Sequence, residues 1–97
     1  MNDDNFEWDD AKAAANLAKH KVSFETARQS FDDPFSVESD DNRQNYGEPR
    51  FRLLGMVDGK LMSVAYTLRG DVIRIISARG AEPYEQRLYH EDNSDKA

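Results

Sequence analysis

The chain has 97 residues, no cysteine, two histidines and a formal net charge of −6. That length suits a single domain, 1–97, with one modest core, and the missing cysteines exclude disulfides and thiolate metal sites. The start, Met1-Asn2-Asp3-Asp4-Asn5, is too polar for a signal peptide, and no apolar run could span a bilayer, so the chain reads as cytoplasmic, with no membrane role.

The negative charge sits at the ends. Residues 1–10 hold five acids and no base, and residues 82–97 hold five acids and two bases. The stretch 11–81 keeps the other 9 acids and 11 bases, so the body is mildly basic. This removes the main electrostatic objection to a nucleic-acid partner without itself indicating one.

In chain order, Phe6-Glu7-Trp8 alternates apolar and polar residues and predicts a short strand. Asp9 or Asp10 then caps a helix over Ala11–His20. Its Ala14, Leu17 and Ala18 share one face by i, i+3, i+4 spacing and are expected to point inward, with Lys12, Asn16 and Lys19 facing elsewhere. Lys19, His20 and Lys21 fall in the last turn, where the helix dipole favours cations. Ser23 caps a second, short helix with Phe24, Ala27 and Phe31 on one face. Asp33-Pro34 ends it. Phe35-Ser36-Val37-Glu38 predicts another short strand, and 39–49 a polar loop.

The second half carries the clearest pattern. Arg50–Val57 predicts a strand with Phe51 and Leu53 on one face. Asp58-Gly59 marks a two-residue hairpin, and Lys60–Leu68 is the return strand. Arg69-Gly70-Asp71 turns the chain again. The β-branched run Val72–Ala78 belongs at the centre of the sheet. A helix starts at Glu82 or Pro83, with Tyr84, Leu88 and Tyr89 as inward residues, and residues 91–97 are expected to fray. The sum is an α+β fold: a short N-terminal strand, two helices, an antiparallel sheet of three to four strands, and a C-terminal helix, ordered over about 6–90.

Ordered motifs run along most of the chain: Phe6-x-Trp8-Asp9-x-x-Lys12-x-x-x-Asn16-x-x-Lys19-His20-x-Val22-Ser23-Phe24, then Phe31-Asp32-Asp33-Pro34, Tyr46-Gly47-Glu48-x-Arg50, Tyr66-Thr67-x-Arg69 and Ile73-Arg74-Ile75-Ile76-Ser77-Ala78-Arg79, followed by Glu85 and Tyr89. Over roughly 6–90 the sequence resembles the BrnT toxins, within the group of toxins with a RelE-like fold. The resemblance implies an endoribonuclease toxin of a type II toxin–antitoxin pair. It would be neutralised by a BrnA-like ribbon-helix-helix antitoxin, and the complex would reach operator DNA only through that antitoxin. The chain departs from the family pattern at the start of the last helix. Gly80, Glu82, Pro83, Tyr84 and Gln86 stand where several basic residues are common, which thins the phosphate-binding surface.

RNA cleavage of this kind calls for no cofactor and no metal. A base takes the proton of the attacking 2′-hydroxyl, an acid protonates the leaving 5′-oxygen, and cations stabilise the phosphoryl oxygens. Arg79 follows the central strand directly and is the first candidate for a bidentate phosphate clamp; a plain surface arginine is the alternative. Arg69, at the turn before that strand, is either a second clamp or a solvated turn residue. Glu48 is a base, a partner for Arg50 and Arg69, or an ordinary surface ion pair. His20 suits acid–base work by its titration range, or simply complements a helix end. Lys12, Lys19 and Arg50 are candidate RNA contacts. Tyr89 either stacks on RNA or packs the last helix. Two other readings remain beside the nuclease: a weakly or non-catalytic module that binds the antitoxin and acts as co-repressor, and a direct DNA-binding protein, disfavoured by the charge and the lack of a helix-turn-helix signature.

Overall fold

The computed structural model describes residues 2–3, 5–41 and 47–94. Ten short elements follow one another: β1 (Asn2–Asp3), β2 (Phe6–Glu7), α1 (Asp10–His20), α2 (Phe24–Gln29), a 3-10 turn (Ser30–Asp32), β3 (Val37–Asp40), β4 (Phe51–Val57), β5 (Lys60–Arg69), β6 (Val72–Gly80) and α3 (Pro83–Asn93). They build an α+β fold around a six-stranded sheet of order β1-β2-β6-β5-β4-β3. Tyr46 of the motif at 46–50, the loop stretch 42–46 and the terminal residues 95–97 lie outside the described residues.

The expected meander β4-β5-β6 is the middle of this sheet, with antiparallel register throughout. Asp58 and Gly59 both take positive φ at its first turn, 49° and 80°, as a tight hairpin with the right twist requires. β3 adds to β4 antiparallel as the fourth expected strand. Two features exceed the expected sheet: β2 joins the outer side of β6 in parallel, pairing Phe6 with Ile73 and Glu7 with Arg74, and β1 pairs antiparallel with β2. The sheet is therefore mixed.

Both N-caps form as read: Asp9 accepts from the Lys12 N–H and Ser23 from the Thr26 N–H. The faces of α1 differ from the expectation. Leu17 is half exposed and Ala14 and Ala18 are exposed, while Asn16 is the buried residue of the helix. The reason lies in β6. Its outer edge is paired by β2 only at 73 and 74. Further along, the Asn16 amide takes over, accepting from the Ala78 N–H at 3.1 Å and donating to the Ala78 carbonyl at 2.8 Å and the Val22 carbonyl at 2.9 Å. One side chain does what a neighbouring strand would do for a buried strand edge.

The main core lies on the face of the sheet that carries Val64, Ile75 and Ala78, under Trp8, Phe24 and Ala27. A kink in register between Ala65 and Tyr66 lets both Ile75 and Ala78 point into it. Gly55 sits on this face against the Ser30 carbonyl, where a Cβ would come within 2.3 Å of the oxygen. A smaller cluster on the opposite face, Leu54, Leu61 and Tyr89, seats α3.

The inward residues of α3 are Glu85 and Tyr89; Tyr84 and Leu88, expected inside, are 46% and 51% exposed. The helix also outlasts the expected fraying point. It runs to Asn93, whose side chain donates to the carbonyls of Phe35 and Tyr89. The strand expected at 35–38 starts two residues later, because the Asp33 carboxylate captures the Phe35 N–H and folds 34–35 into a turn.

Candidate functional site

The sheet face beneath α3 gathers the arginines. Side chains alternate along each strand, so the register assigns them to rows across this face. The first row is Val37, Leu54, Ser63 and Arg79; the next is Ser39, Arg52, Ala65 and Ser77. A third is Asp41, Arg50, Thr67, Arg74 and Glu7, and Arg69 follows at the end of β5. Among the described residues, five arginines thus share one face. Rows are about 7 Å apart.

The first two rows are joined by a polar chain. Arg52 Nη1 donates to Ser63 Oγ at 2.7 Å, and Ser63 Oγ donates to Glu85 Oε2 at 2.9 Å. Arg79 grips Glu85 with both terminal nitrogens, at 2.6 and 3.3 Å. At the other end Arg52 faces Asp41 at 3.4 Å. Glu85 is 2% exposed, and its Oε1 also accepts the Glu82 N–H, which closes a reciprocal capping box on α3. Burial pushes the Glu85 carboxyl up, but the hydrogen bonds from Arg79, the Glu82 N–H and Ser63 outweigh it and hold the group below its usual range. The same Glu85 hydrogen bond raises Arg79 further against a smaller desolvation effect. Arg79 therefore stays charged, and its side chain keeps a quarter of its surface in solvent. Two of its nitrogens serve Glu85, and a guanidinium has five N–H donors in all.

The far end of the face has a different character. Thr67 Oγ1 donates to the Pro49 carbonyl at 2.6 Å, which fixes the approach of Glu48 and Arg50 to the end of β5 where Arg69 stands exposed. Arg74 lies in the adjoining strand and pairs with Glu7 at 2.6 Å. Glu48, Arg50 and Arg69 are thus brought to one end of the sheet and Arg79 to the other. Six residues of β6 lie between Val72, the partner of Arg69, and Arg79, a distance of roughly 20 Å. One phosphate cannot touch both.

The remaining candidates lie elsewhere. Lys12 and Lys19 are exposed on α1, and His20 is half-buried one turn past Asn16. Tyr89 is 6% exposed, and its hydroxyl donates to Asp33 Oδ2 at 2.7 Å, so its ring belongs to the seat of α3. Burial and this bond push the phenol up to about 12. For Asp33, burial works upward, but bonds from Tyr89 and the N–H groups of Met56 and Phe35 hold it low. Asp33 ties the exit of α2 to β4 and α3, a role beyond the helix stop that the sequence indicated.

Sequence reasoning passed over Arg52, Ser63 and Arg74. A usable signal existed: Arg50 and Arg52 are two apart in a strand, hence on one face, and Ser63 is the lone hydroxyl in the apolar run 61–65. Among the described residues no three His, Cys, Asp or Glu side chains cluster as a metal site, and no helix is long and apolar enough to cross a membrane.

A family model described as the ribonuclease toxin, BrnT, of type II toxin-antitoxin systems matches residues 8–85. No curated protein matches the chain.

Proposed function

Since the chain belongs to the BrnT family of ribonuclease toxins of type II toxin–antitoxin systems, we propose that it cuts cytoplasmic RNA internally, without a metal, on the arginine face of its sheet, until a BrnA-like antitoxin covers that face. The observation that carries the reading is the concentration of five arginines on one face, at whose far end the Thr67 hydroxyl holds the backbone beside Glu48 through the Pro49 carbonyl.

In this reading Glu48 takes the 2′-hydroxyl proton as the 2′-oxygen bonds to phosphorus, Arg50 and Arg69 hold the phosphoryl oxygens where charge builds up, and the 5′-oxygen that departs takes its proton from water. Arg79 lies too far along the sheet for that phosphate and grips one further along the strand, while Arg52, one row from Arg50, stands between the two. An extended single strand lying along β5 reaches both groups. His20, Lys12 and Lys19 stand on α1 and take no part in this centre. Operator DNA is reached only through the antitoxin.

The test is cleavage of a single-stranded RNA by the purified protein in EDTA. Cleavage should persist and leave 2′,3′-cyclic phosphate ends. Glu48→Gln should lower kcat by a factor of about 10² or more, whereas Arg79→Ala should act mainly on KM. Intact RNA with the wild type, or loss of all activity in EDTA, would sink the metal-free reading.

One observation favours a second reading. Arg79, Arg74 and Arg52 already face Glu85, Glu7 and Asp41, which blunts their pull on phosphate. A weakly or non-catalytic module acting as co-repressor predicts operator repression by the complex and no effect of Glu48→Gln on growth.

A further inference from the structure

The outer side of α3 and the edge strand β3 enclose two adjoining hollows of about 180 and 400 Å³, which share Ser39, Leu54 and Leu88. Leu54 and Val37 form the floor, and Tyr84 and Leu88, one helical turn apart, form the wall with about half their surface in solvent. Two large apolar side chains at one helical spacing, beside an apolar floor, are a recognition surface rather than scattered exposure.

Charge decides what fits. The hollows are lined by five acids, Asp40, Asp41, Glu85, Glu91 and Asp92, against one base, Arg52. With Asp41 set against Arg52, and Glu85 against Arg79, Asp40 and Glu91 still keep the rim negative. A phosphate backbone is repelled here, although the arginine face begins next door. A second copy of the chain is disfavoured too, because a two-fold contact would set this acidic rim against itself. The complementary occupant is cationic and carries apolar anchors.

We propose that the groove between α3 and β3 is the docking site for a basic, apolar-studded segment of the cognate antitoxin. The proposal rests on the reading that an antitoxin neutralises this chain. It also explains how neutralisation would work. Arg52 belongs both to the groove and to the arginine face. A segment seated on Tyr84 and Leu88 covers Arg52 and walls off the Arg79 end of that face, so RNA cannot lie along the sheet.

The experiment uses the full chain and the protein encoded by the adjoining reading frame, with affinity measured by calorimetry at two salt concentrations. Leu88→Lys should weaken binding by about tenfold or more, and Glu91→Lys by a smaller factor. Leu17→Lys, on the exposed face of α1, should bind as the wild type does. Wild-type affinity should fall as salt rises. RNA cleavage by free Leu88→Lys should be unchanged, which also reports that the variant is folded. Undiminished antitoxin affinity in Leu88→Lys overturns the docking site but leaves the antitoxin reading standing. A wild type that binds no such protein overturns both. If Leu88→Lys instead abolishes self-association seen by light scattering, or RNA binding by the free protein, while the antitoxin still binds, the groove belongs to that other occupant.

Discussion

Glu85→Gln tests the link between the arginine face and the helix above it. Glutamine keeps the length and the acceptor oxygen of the side chain, so it can still close the capping box on α3. What it removes is the charge that Arg79 and Ser63 address. Breaking a buried charge pair costs about 3–5 kcal/mol when the stranded partner stays dry. Arg79 keeps a quarter of its side chain in solvent and can recover water, so the expected loss is about 2–3 kcal/mol. For a chain of 97 residues that lowers Tm by roughly 10–20 °C.

The decisive measurement is the pH dependence of that difference, read from urea midpoints of wild type and variant. The Glu85 carboxyl lies below its ordinary value of 4.5 in the folded protein. The charged form therefore contributes its full stabilisation above about pH 4.5 and loses it as pH falls through the depressed value. Once protonated, glutamic acid resembles glutamine in shape and charge, so the two proteins should converge in acid. A gap that persists undiminished near pH 2, or no gap at pH 7, would refute the assignment of Glu85 as the charged anchor of Arg79.

Two further outcomes follow from the packing. Gly55→Ala should cost about 1–3 kcal/mol by denaturant unfolding, because its Cβ meets the backbone oxygen of Ser30 at 2.3 Å and that oxygen cannot rotate away. Tyr89→Phe should lose about 1–2 kcal/mol at pH 7, because the Asp33 carboxylate loses one of its three donors. Because the Tyr89 phenol is raised to about 12 in the folded protein, the wild type alone should lose stability from this group between about pH 10 and 12, narrowing the gap to the variant.

The elements that sequence reading placed well are those set by neighbours in the chain. Asp58-Gly59, the caps Asp9 and Ser23, and the shared face of Phe51 and Leu53 in β4 each depend on a few adjacent residues. The faces of α1 and α3 depend on distant ones. Periodicity ranks Ala14, Leu17 and Ala18 above Asn16 as inward residues, because it prices an amide as polar. The edge of β6, 62 positions away, offers that amide an N–H and a carbonyl, and paired polar groups can be buried. Glu85 is the same case on α3. A carboxylate is a poor inward residue by composition, and a good one once Arg79, Ser63 and the Glu82 N–H converge on it.

The site follows the same logic. Arg69 and Arg79 were each readable as strand-end arginines, but strand ends alternate between the two sides of a sheet, and only the register puts them at opposite ends of one face. That separation bears on mechanism. A nuclease whose cations are spread over roughly 20 Å binds its substrate as an extended strand, with the bond to be cut near one end of the contact. A change at the Arg79 end then shortens the grip and appears in KM. A change at Glu48 spares the grip and appears in kcat. Kinetic separation of the two ends is therefore the signature that distinguishes this arrangement from a compact centre built around Arg79.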